Sequence, residues 1–384
     1  MAAGPRPGPP APFQVYLHVP YCARRCGYCD FNTYLAPAAE RAGYADLAIA
    51  ELGLAARALE ASGWQARPAA TVYFGGGTPS LLPAADLARL RRAVGRVFGL
   101  EPGAEVSLEA NPDTVDGDYL ERLAQAGFTR VSFGMQSAVP AVLEVLDRGH
   151  DQARVGLVAR AAAAAGLAVS ADLIYGAPGE TLAQWEASVR AALDLGLRHV
   201  SAYALTLEPA TPMARRIRAG QLGEVDEDLQ ADKYLLADSL FEAAGLNWYE
   251  ISNWAAPGFE SRHNMGYWLG SDWLGIGPGA HSAISGERFW NLKSPRAWGA
   301  AVAAGRPAAA GRERPGGAAR ELERVMLGLR TARGLAIDSL PGPAQAALPG
   351  LERDGLVHLR AGRLALTRRG RLLADLVTRD LMFI

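Results

Sequence analysis

The amino-acid sequence predicts an α/β fold, an incomplete (βα)6 barrel of the TIM type followed by a small winged-helix-like α+β domain. Two observations predict the α/β part of this fold. Short runs rich in β-branched and aromatic residues alternate with longer stretches whose apolar residues recur at helical spacing. A polar or glycine-rich cluster follows each short run. A third observation, a change of pattern after residue 245, indicates that the chain then leaves the barrel.

Six segments have the composition of strands, and helical stretches lie between them. Strands are predicted at residues 15–19, 71–74, 105–109, 130–133, 168–175 and 200–207. Helical stretches are predicted between the strands, for example at residues 47–59, 84–97, 119–126 and 182–193. Strands that alternate with helices typically form a parallel sheet. An open sheet of the Rossmann type fits this alternation as well as a barrel does.

The clusters that follow the strands favour the barrel. They occupy residues 22–29, 75–80, 109–112, 134–137, 176–180 and 208–212. Loops after the strands of a barrel gather at one end of it. An open sheet concentrates its ligand loops near one switch point instead. Six such clusters therefore predict a single site at the mouth of a barrel.

Composition divides the chain into five parts: a disordered leader at 1–12, the barrel at 13–245, a tryptophan-rich extension at 246–304, a Pro/Gly/Ala-rich linker at 305–318 and a C-terminal domain at 319–384. Six of the eight tryptophans lie between residues 248 and 298. The C-terminal domain has helical runs at 321–329 and 343–347, and then two short strands at 356–359 and 364–366. A final helix is expected at 369–381. Helices followed by a hairpin are typical of a winged-helix-like domain.

Charge and cysteine content exclude several classes of protein. The 39 basic and 40 acidic residues nearly cancel, which argues against a nucleic-acid partner. From Arg312 onward, 13 arginines stand against 8 acidic residues, a net charge of +5. A solvated face is the simple interpretation, and a partner protein or a peripheral contact with an anionic membrane is the alternative. The sequence has no apolar stretch of transmembrane length. Three clustered cysteines exclude a disulfide framework and indicate a reducing compartment, the cytoplasm.

The three cysteines, Cys22, Cys26 and Cys29, have the spacing C-x3-C-x2-C. Three thiolates can hold three irons of a cubane cluster and leave the fourth iron open, whereas clusters of the ferredoxin type take four cysteines. An open iron can coordinate a small molecule and deliver an electron to it. Two alternatives remain: a zinc site completed by His18 or Asp30, and inert packing.

This loop, followed after the next strand by residues 75–80, resembles the signature of the radical S-adenosylmethionine superfamily. The string at residues 16–22, YLHVPYC, resembles the coproporphyrinogen-dehydrogenase-like branch. The resemblance extends over nearly the whole chain after the leader. It implies an incomplete (βα)6 barrel, a [4Fe-4S] cluster held by the three cysteines, and bound S-adenosylmethionine. The shared reaction of the superfamily is reductive cleavage of the sulfonium to a 5′-deoxyadenosyl radical.

The loops also offer partners for S-adenosylmethionine. Gly76 and Gly77 allow close backbone approach to its methionyl group. Glu109 offers an acceptor, and Arg148 offers a fork-shaped donor for the carboxylate. Glu109 or Asp172 could equally form an ordinary salt bridge within the barrel. The resemblance implies that the ligand contacts fall on Tyr16, Tyr28, Gly76, Gly77, Thr78, Glu109, Gln136, Arg148, Asp172 and Ala204.

One sequence position distinguishes the dehydrogenases of this branch from its other members. The dehydrogenases carry a further cysteine two residues after the third, and here that position is Phe31. This difference argues against the decarboxylase assignment, and the Cys-Asp-Phe form resembles the haem chaperone subfamily instead. Residues 263–268, HNMGYW, match the H-N-x-x-Y-W motif that this subfamily associates with haem. Haem iron is commonly held by an imidazole, so His263 is the expected haem ligand. A core histidine is the simpler interpretation, and His281 is a second candidate.

The expected function is therefore that of a haem chaperone. It would bind haem and transfer it to haem-requiring proteins, with respiratory proteins as the expected acceptors. The [4Fe-4S] cluster and S-adenosylmethionine would regulate loading or transfer. The alternative is an oxygen-independent coproporphyrinogen III dehydrogenase, which removes carbon dioxide from propionate side chains by radical chemistry. A radical enzyme with another substrate is a third hypothesis.

Overall fold

The structure, a computed structural model, describes residues 12–383. The predicted disordered leader therefore lies outside the described residues, except for its last residue. Eight strands precede residue 205: β1 (Phe13–Val19), β2 (Tyr21–Cys22), β3 (Tyr34–Leu35), β4 (Ala69–Gly76), β5 (Leu100–Ala110), β6 (Arg130–Gln136), β7 (Ala168–Tyr175) and β8 (His199–Ala204). The strands β1 and β4–β8 lie side by side in that order, and all of them run parallel. They are the six predicted strands.

Helices connect these strands, as an α/β fold requires. They are α1 (Ala38–Arg41), α2 (Tyr44–Ala61), α3 (Ala84–Val97), α4 (Gly117–Gln125), α5 (Pro140–Val145), α6 (Gln152–Ala164), α7 (Leu182–Asp194), α8 (Pro212–Arg218) and α9 (Glu227–Ala243). Four of them correspond to the predicted helices. Asp151 and Asp226 cap the first turns of two further helices, α6 and α9.

The last predicted strand, 200–207, is too long. The strand β8 ends at Ala204. The side chains of Leu205 and Leu207 leave the sheet and pack with Met213 in a separate small apolar cluster. These two leucines are apolar because they pack in this cluster. Their apolar character alone therefore predicted a strand that extends too far.

The sheet continues beyond the six parallel strands at both edges. At one edge β10 (Asn253–Ala255) pairs antiparallel with β8, and β9 (Asn247–Glu250) pairs with β10. At the other edge β11 (Asp272–Ile276) runs parallel to β1. Three antiparallel strands follow it: β12 (His281–Ile284), β13 (Glu287–Asn291) and β14 (Ala309–Glu313). In the described residues β9 and β14 are the two ends of this sheet, so the barrel is incomplete, as predicted.

The linker predicted at 305–318 is wrong in part, because β14 lies within it and pairs with β13. The glycine that suggested a linker has a packing role. A Cβ on Gly311 would lie 2.5 Å from the ring of Trp290, which is directly opposite it in the sheet. Glycine therefore lets the tryptophan ring lie flat on the neighbouring strand.

The C-terminal domain has the predicted combination of helices and a small sheet. Its elements, with those that lead into it, are α10 (Arg262–Trp268), α11 (Pro295–Ala303), α12 (Gly317–Leu329), β15 (Leu335–Ala336), α13 (Gly342–Arg353), β16 (Val357–Arg360), β17 (Arg363–Leu366), α14 (Arg368–Leu372) and α15 (Ala374–Met382). The predicted hairpin is present, and its turn residues Ala361 and Gly362 both have positive φ. The predicted final helix is instead two helices separated at Leu373.

The C-terminal domain contacts α9 of the barrel through arginines. Arg371 donates to Asp238 (Nη1 to Oδ1, 2.8 Å), and Arg368 pairs with the same buried carboxylate. The indole of Trp254 also donates to Asp238, at 2.8 Å. The Arg371 guanidinium lies 3.9 Å from the ring centroid of Trp248. Two of the arginines that suggested a basic surface are thus used within the protein.

We expect Asp238→Ala to destabilise the fold by about 3 kcal/mol, because the buried Trp254 indole and the Arg371 guanidinium lose their shared acceptor. The change in unfolding free energy can be measured by urea denaturation. Glu242→Ala is the matched control, since Glu242 pairs with Arg368 but its side chain is 67% exposed. Exposed ion pairs contribute less than about 1 kcal/mol. Equal effects of the two substitutions would contradict this account of the contact.

In the part of the chain that the structure describes, no helix is both long and apolar enough to span a bilayer.

Candidate functional site

The cysteine loop follows β1 at its carboxyl end. The backbone N–H of Cys29 donates to the carbonyl of Cys26 at 3.3 Å, so these two residues lie in one tight turn. All three thiols are free and half-buried. Burial raises the pKa of Cys22 and of Cys29. The three side chains line one cavity of about 620 Å³ at the carboxyl ends of the parallel strands. This is the place at which a barrel of this type binds its ligands.

The next loop passes close to the cysteine loop, and two of its positions require glycine. Gly76 has a φ of +116°, which side chains disfavour. A Cβ on Gly77 would lie 2.6 Å from the carbonyl oxygen of Tyr21 and 3.0 Å from the sulfur of Cys22. The N–H groups of Gly76 and Gly77 donate to Glu109 and to the Val19 carbonyl, respectively. Both N–H groups are therefore engaged in hydrogen bonds within the protein.

We expect Gly77→Ala to weaken cluster assembly, because the added methyl group collides with Tyr21 and Cys22. Overpacking of this kind costs about 1–3 kcal/mol. Iron content and visible absorbance after anaerobic reconstitution measure the effect, with far-ultraviolet circular dichroism as a check on folding. Gly43→Ala is a suitable control, because no atom lies within 4 Å of its added Cβ. Full iron occupancy in Gly77→Ala would show that the contact is not limiting.

Glu109 lies at the end of β5, and its carboxylate is buried in the cavity. It accepts hydrogen bonds from the Tyr73 hydroxyl at 2.9 Å and from the backbone N–H of Gly76 at 3.0 Å. Burial, with a contribution from the charge of Asp172, raises the pKa of Glu109 to about 7. This carboxyl group therefore changes its charge near neutral pH.

Gly134 makes room for two further side chains. A Cβ at this position would lie 2.6 Å from the Gln136 amide and 2.9 Å from the Arg148 guanidinium. Gln136 has a φ of +60°, unusual for a residue with a side chain. Arg148 donates to the Gly134 carbonyl at 3.0 Å and to the Cys26 sulfur at 3.5 Å. A positive charge therefore lies directly against the cysteine loop.

Asp172 is buried on β7, next to the same cavity. It accepts a hydrogen bond from the Ser132 hydroxyl at 2.8 Å. Burial raises its pKa. Nine of the eleven residues predicted to bind cofactors line one cavity with the three cysteines: Tyr28, Gly76, Gly77, Thr78, Glu109, Gln136, Arg148, Asp172 and Ala204. The strand ends thus bring together residues that are far apart in sequence.

Tyr16 and His263 are the two predicted residues that do not line this cavity. The hydroxyl of Tyr16 is hydrogen-bonded to Nδ1 of His18 at 3.1 Å. Tyr16 instead lines a second, smaller cavity. Its contact with S-adenosylmethionine stays a prediction.

His263 is a buried histidine whose two ring nitrogens both have partners. Nδ1 lies 2.6 Å from the Thr71 hydroxyl, and Nε2 lies 2.9 Å from the Tyr267 hydroxyl. Its ring stacks on Tyr73, with centroids 4.9 Å apart. The side chain is 1% exposed, and burial lowers its pKa to about 3. Ligation of haem iron by His263 would require one of these nitrogens to exchange its hydrogen bond for the metal, and this role stays a prediction.

The zinc alternative for the cysteine loop also has little support. His18 could have completed such a site, but its Nε2 lies 3.0 Å from the Asn32 carbonyl and its Nδ1 faces Tyr16. Asp30, the other candidate, is exposed.

Several lining residues were missed by the sequence reasoning. They lie on the inward face of the strands, deeper than the loops: Tyr73, Ser107, Arg130, Ser132, Ser170, His199, Ser201 and Tyr203. Their spacing carried a signal, because positions 130, 132 and 134, or 199, 201 and 203, recur with period two and share one face of a strand. Polar residues at every second position of a buried strand could have identified them.

Two families match segments of the chain. The Radical SAM superfamily matches residues 16–192, and the HemN C-terminal domain matches residues 319–373. The heme chaperone HemW of Mycobacterium tuberculosis is 47% identical over 385 residues, which cover 99% of this chain and 97% of that protein. The heme chaperone HemW of Bacillus subtilis is 33% identical, with coverage of 94% of this chain and 97% of that protein.

A solved structure shares the architecture described above. Coproporphyrinogen III oxidase (HemN) from Escherichia coli, a radical SAM enzyme, superposes with a TM-score of 0.83 over 97% of this chain and 90% of its own. The two sequences are 22% identical, so this likeness concerns the fold alone. The relationship to the HemW proteins is closer and extends along the whole chain. The chain therefore belongs to the HemW family within the radical SAM superfamily.

Proposed function

We propose that the protein is a haem chaperone, which binds haem and transfers it to haem-requiring proteins, with respiratory proteins as the expected acceptors. One observation carries this proposal: 47% identity over 99% of the chain to a protein named heme chaperone HemW. The cytoplasm is the proposed location, because three free thiols at a cluster site need a reducing compartment.

Phe31 supports this choice over porphyrinogen chemistry. It stands where the dehydrogenases of this branch have a further cysteine, and its side chain is 62% exposed. A phenyl ring cannot act as a thiolate ligand or donate hydrogen as a thiol does. The protein shares the fold of HemN, but it has Phe31 where the dehydrogenase pattern has a cysteine.

We propose further that the cavity holds a [4Fe-4S] cluster on Cys22, Cys26 and Cys29, with S-adenosylmethionine beside it. The residues fit both groups, since three thiols and nine predicted contact residues share one cavity. When bound, a cluster with an open iron supplies a coordination site and an electron to the sulfonium. The protein's own part is to position the ligand: Arg148 places positive charge at the cysteine loop, and Asp172 presents a carboxylate for hydroxyl groups.

The test is an anaerobic titration of the reconstituted full-length protein with haem, followed by its Soret absorbance. We expect saturation at one haem per chain. In parallel, the protein is incubated with coproporphyrinogen III, S-adenosylmethionine and a strong reductant, and carbon dioxide release is measured. We expect none.

Two results would contradict the proposal. If the protein does not saturate at one equivalent of haem, the proposed chaperone function is wrong. Carbon dioxide release that depends on S-adenosylmethionine would establish the dehydrogenase alternative. Cys26→Ala protein is the control in the second assay, because no radical reaction can proceed without the cluster.

A further inference from the structure

Asn32, three residues after the last cysteine, joins the cysteine loop to a distant part of the chain. Its carboxamide nitrogen donates to the carbonyl of Pro278 at 3.0 Å and to the carbonyl of Lys293 at 2.9 Å. Both hydrogens of the amide group are therefore used. Pro278 and Lys293 belong to the tryptophan-rich extension at residues 246–304. One side chain thus connects the end of the cysteine loop to this extension.

His18, near the end of β1, holds the backbone of Asn32 from the other side. Its Nε2 lies 3.0 Å from the Asn32 carbonyl oxygen, and its Nδ1 lies 3.1 Å from the Tyr16 hydroxyl. A carbonyl oxygen only accepts hydrogen bonds, so Nε2 carries the proton and Nδ1 accepts from the tyrosine. The strand that leads into the cysteine loop therefore contacts the residue that leads out of it.

Two glycines of the extension allow the chain to approach this point. Gly279 has a φ of +75°, and a Cβ on it would lie 2.5 Å from the amide nitrogen of Asn32. Gly277 has a φ of +106°, and a Cβ on it would lie 2.4 Å from the carbonyl oxygen of His18. A side chain at either position would push residues 277–279 away from the cysteine loop. The extension therefore fits closely against the end of this loop.

Tyr34 completes the contact. Its hydroxyl lies 3.1 Å from Oδ1 of Asn32 and 3.1 Å from the carbonyl oxygen of Lys293. Its backbone N–H donates to the carbonyl of Pro20 at 2.7 Å. Every polar atom of the Asn32 carboxamide thus has a partner, and the chain is fixed both just before and just after the three cysteines.

We propose that Asn32 is a positioning residue for the cluster site, and that it couples the cysteine loop to the extension. This inference rests on the part of the proposed function that places a cluster on the three cysteines. Coupling between two parts of a protein is reciprocal. If Asn32 stabilises the cluster-binding form of the loop, occupancy of the loop stabilises the extension against local opening. The extension also contains residues 263–268, the segment for which haem binding is predicted.

The first experiment measures how firmly the loop retains iron. Asn32→Asp keeps the shape of the side chain but places a carboxylate oxygen against two carbonyl oxygens, and Asn32→Ala removes the donors without adding charge. We expect reconstituted full-length protein with either substitution to release iron to an excess of chelator about tenfold faster, because two hydrogen bonds are lost. Asn247→Asp is the matched control, since Asn247 is an exposed asparagine on β9. It should release iron at the unaltered rate.

The second experiment measures the coupling itself by hydrogen–deuterium exchange. Backbone hydrogen bonds join the two ends of the segment 277–293. In the unaltered protein this segment should exchange more slowly with the cluster than without it. In Asn32→Ala this difference should disappear. A purely structural role would raise exchange equally in both forms, so the difference between the forms is the informative quantity. Peptides from α13 in the C-terminal domain are the internal control and should not respond to the cluster.

The results separate this inference from the proposed function. If the unaltered protein assembles a cluster and both Asn32 variants release iron at the unaltered rate, Asn32 is not a positioning residue. If the cluster slows exchange of residues 277–293 equally in the unaltered protein and in Asn32→Ala, the coupling is wrong. If the unaltered protein assembles no cluster, the proposed cluster site itself fails, and this inference fails with it.

Discussion

Replacement of Cys26 by alanine should abolish the iron–sulfur absorbance of the reconstituted protein. The chain contains only three cysteines, and all three line the same cavity. A cubane bound through three thiolates has no spare protein ligand. Removal of one thiolate leaves two, and the neighbouring Arg148 cannot replace it because a guanidinium has no lone pair to offer iron. Iron and sulfide content per chain, together with visible absorbance, measure the loss.

Asp30→Ala is the control that separates a cluster from a zinc site. Asp30 follows the last cysteine but is exposed, so its loss should leave the cluster intact. A zinc site that used Asp30 as its fourth ligand would lose affinity instead. Persistence of the full iron–sulfur spectrum in Cys26→Ala would contradict the assignment of the cysteine loop.

The cysteine loop and the strand ends could be predicted because their signals are local. Cys22, Cys26 and Cys29 lie within eight residues, and each loop directly follows the strand that positions it. The closure of the sheet could not be predicted in the same way. The strand β11 pairs with β1, where Phe13 lies opposite Asp272. No pattern in the intervening residues specifies this partner over another.

His263 shows a different limit of sequence reasoning. The H-N-x-x-Y-W motif predicted that this segment binds haem, and the histidine was the expected ligand because imidazole commonly binds haem iron. The structure places that ring between Thr71 and Tyr267 with both nitrogens used. Whether an imidazole is free depends on contacts with residues nearly 200 positions away, which only the folded chain reveals.

The affinity for S-adenosylmethionine should rise between pH 6 and pH 8, because Glu109 ionises in this range. Burial raises the pKa of Glu109 to about 7. Below that pH the group is a neutral acid, and above it a carboxylate that attracts the cationic ligand. Affinity should therefore fall by up to about tenfold for each pH unit below 7. Equilibrium dialysis of the reconstituted protein at a series of pH values measures it.

Glu109→Gln should bind S-adenosylmethionine more weakly at pH 8 and should lose most of this pH dependence. Any titration of the ligand itself remains in the variant, so the difference between the two profiles belongs to Glu109. Glu101→Gln is the matched control, since Glu101 lies on the same strand with its side chain 43% exposed. It should keep the profile of the unaltered protein, because Glu101 is not among the residues that line the cysteine cavity. Parallel profiles for the unaltered protein and Glu109→Gln would exclude Glu109 from contact with the ligand.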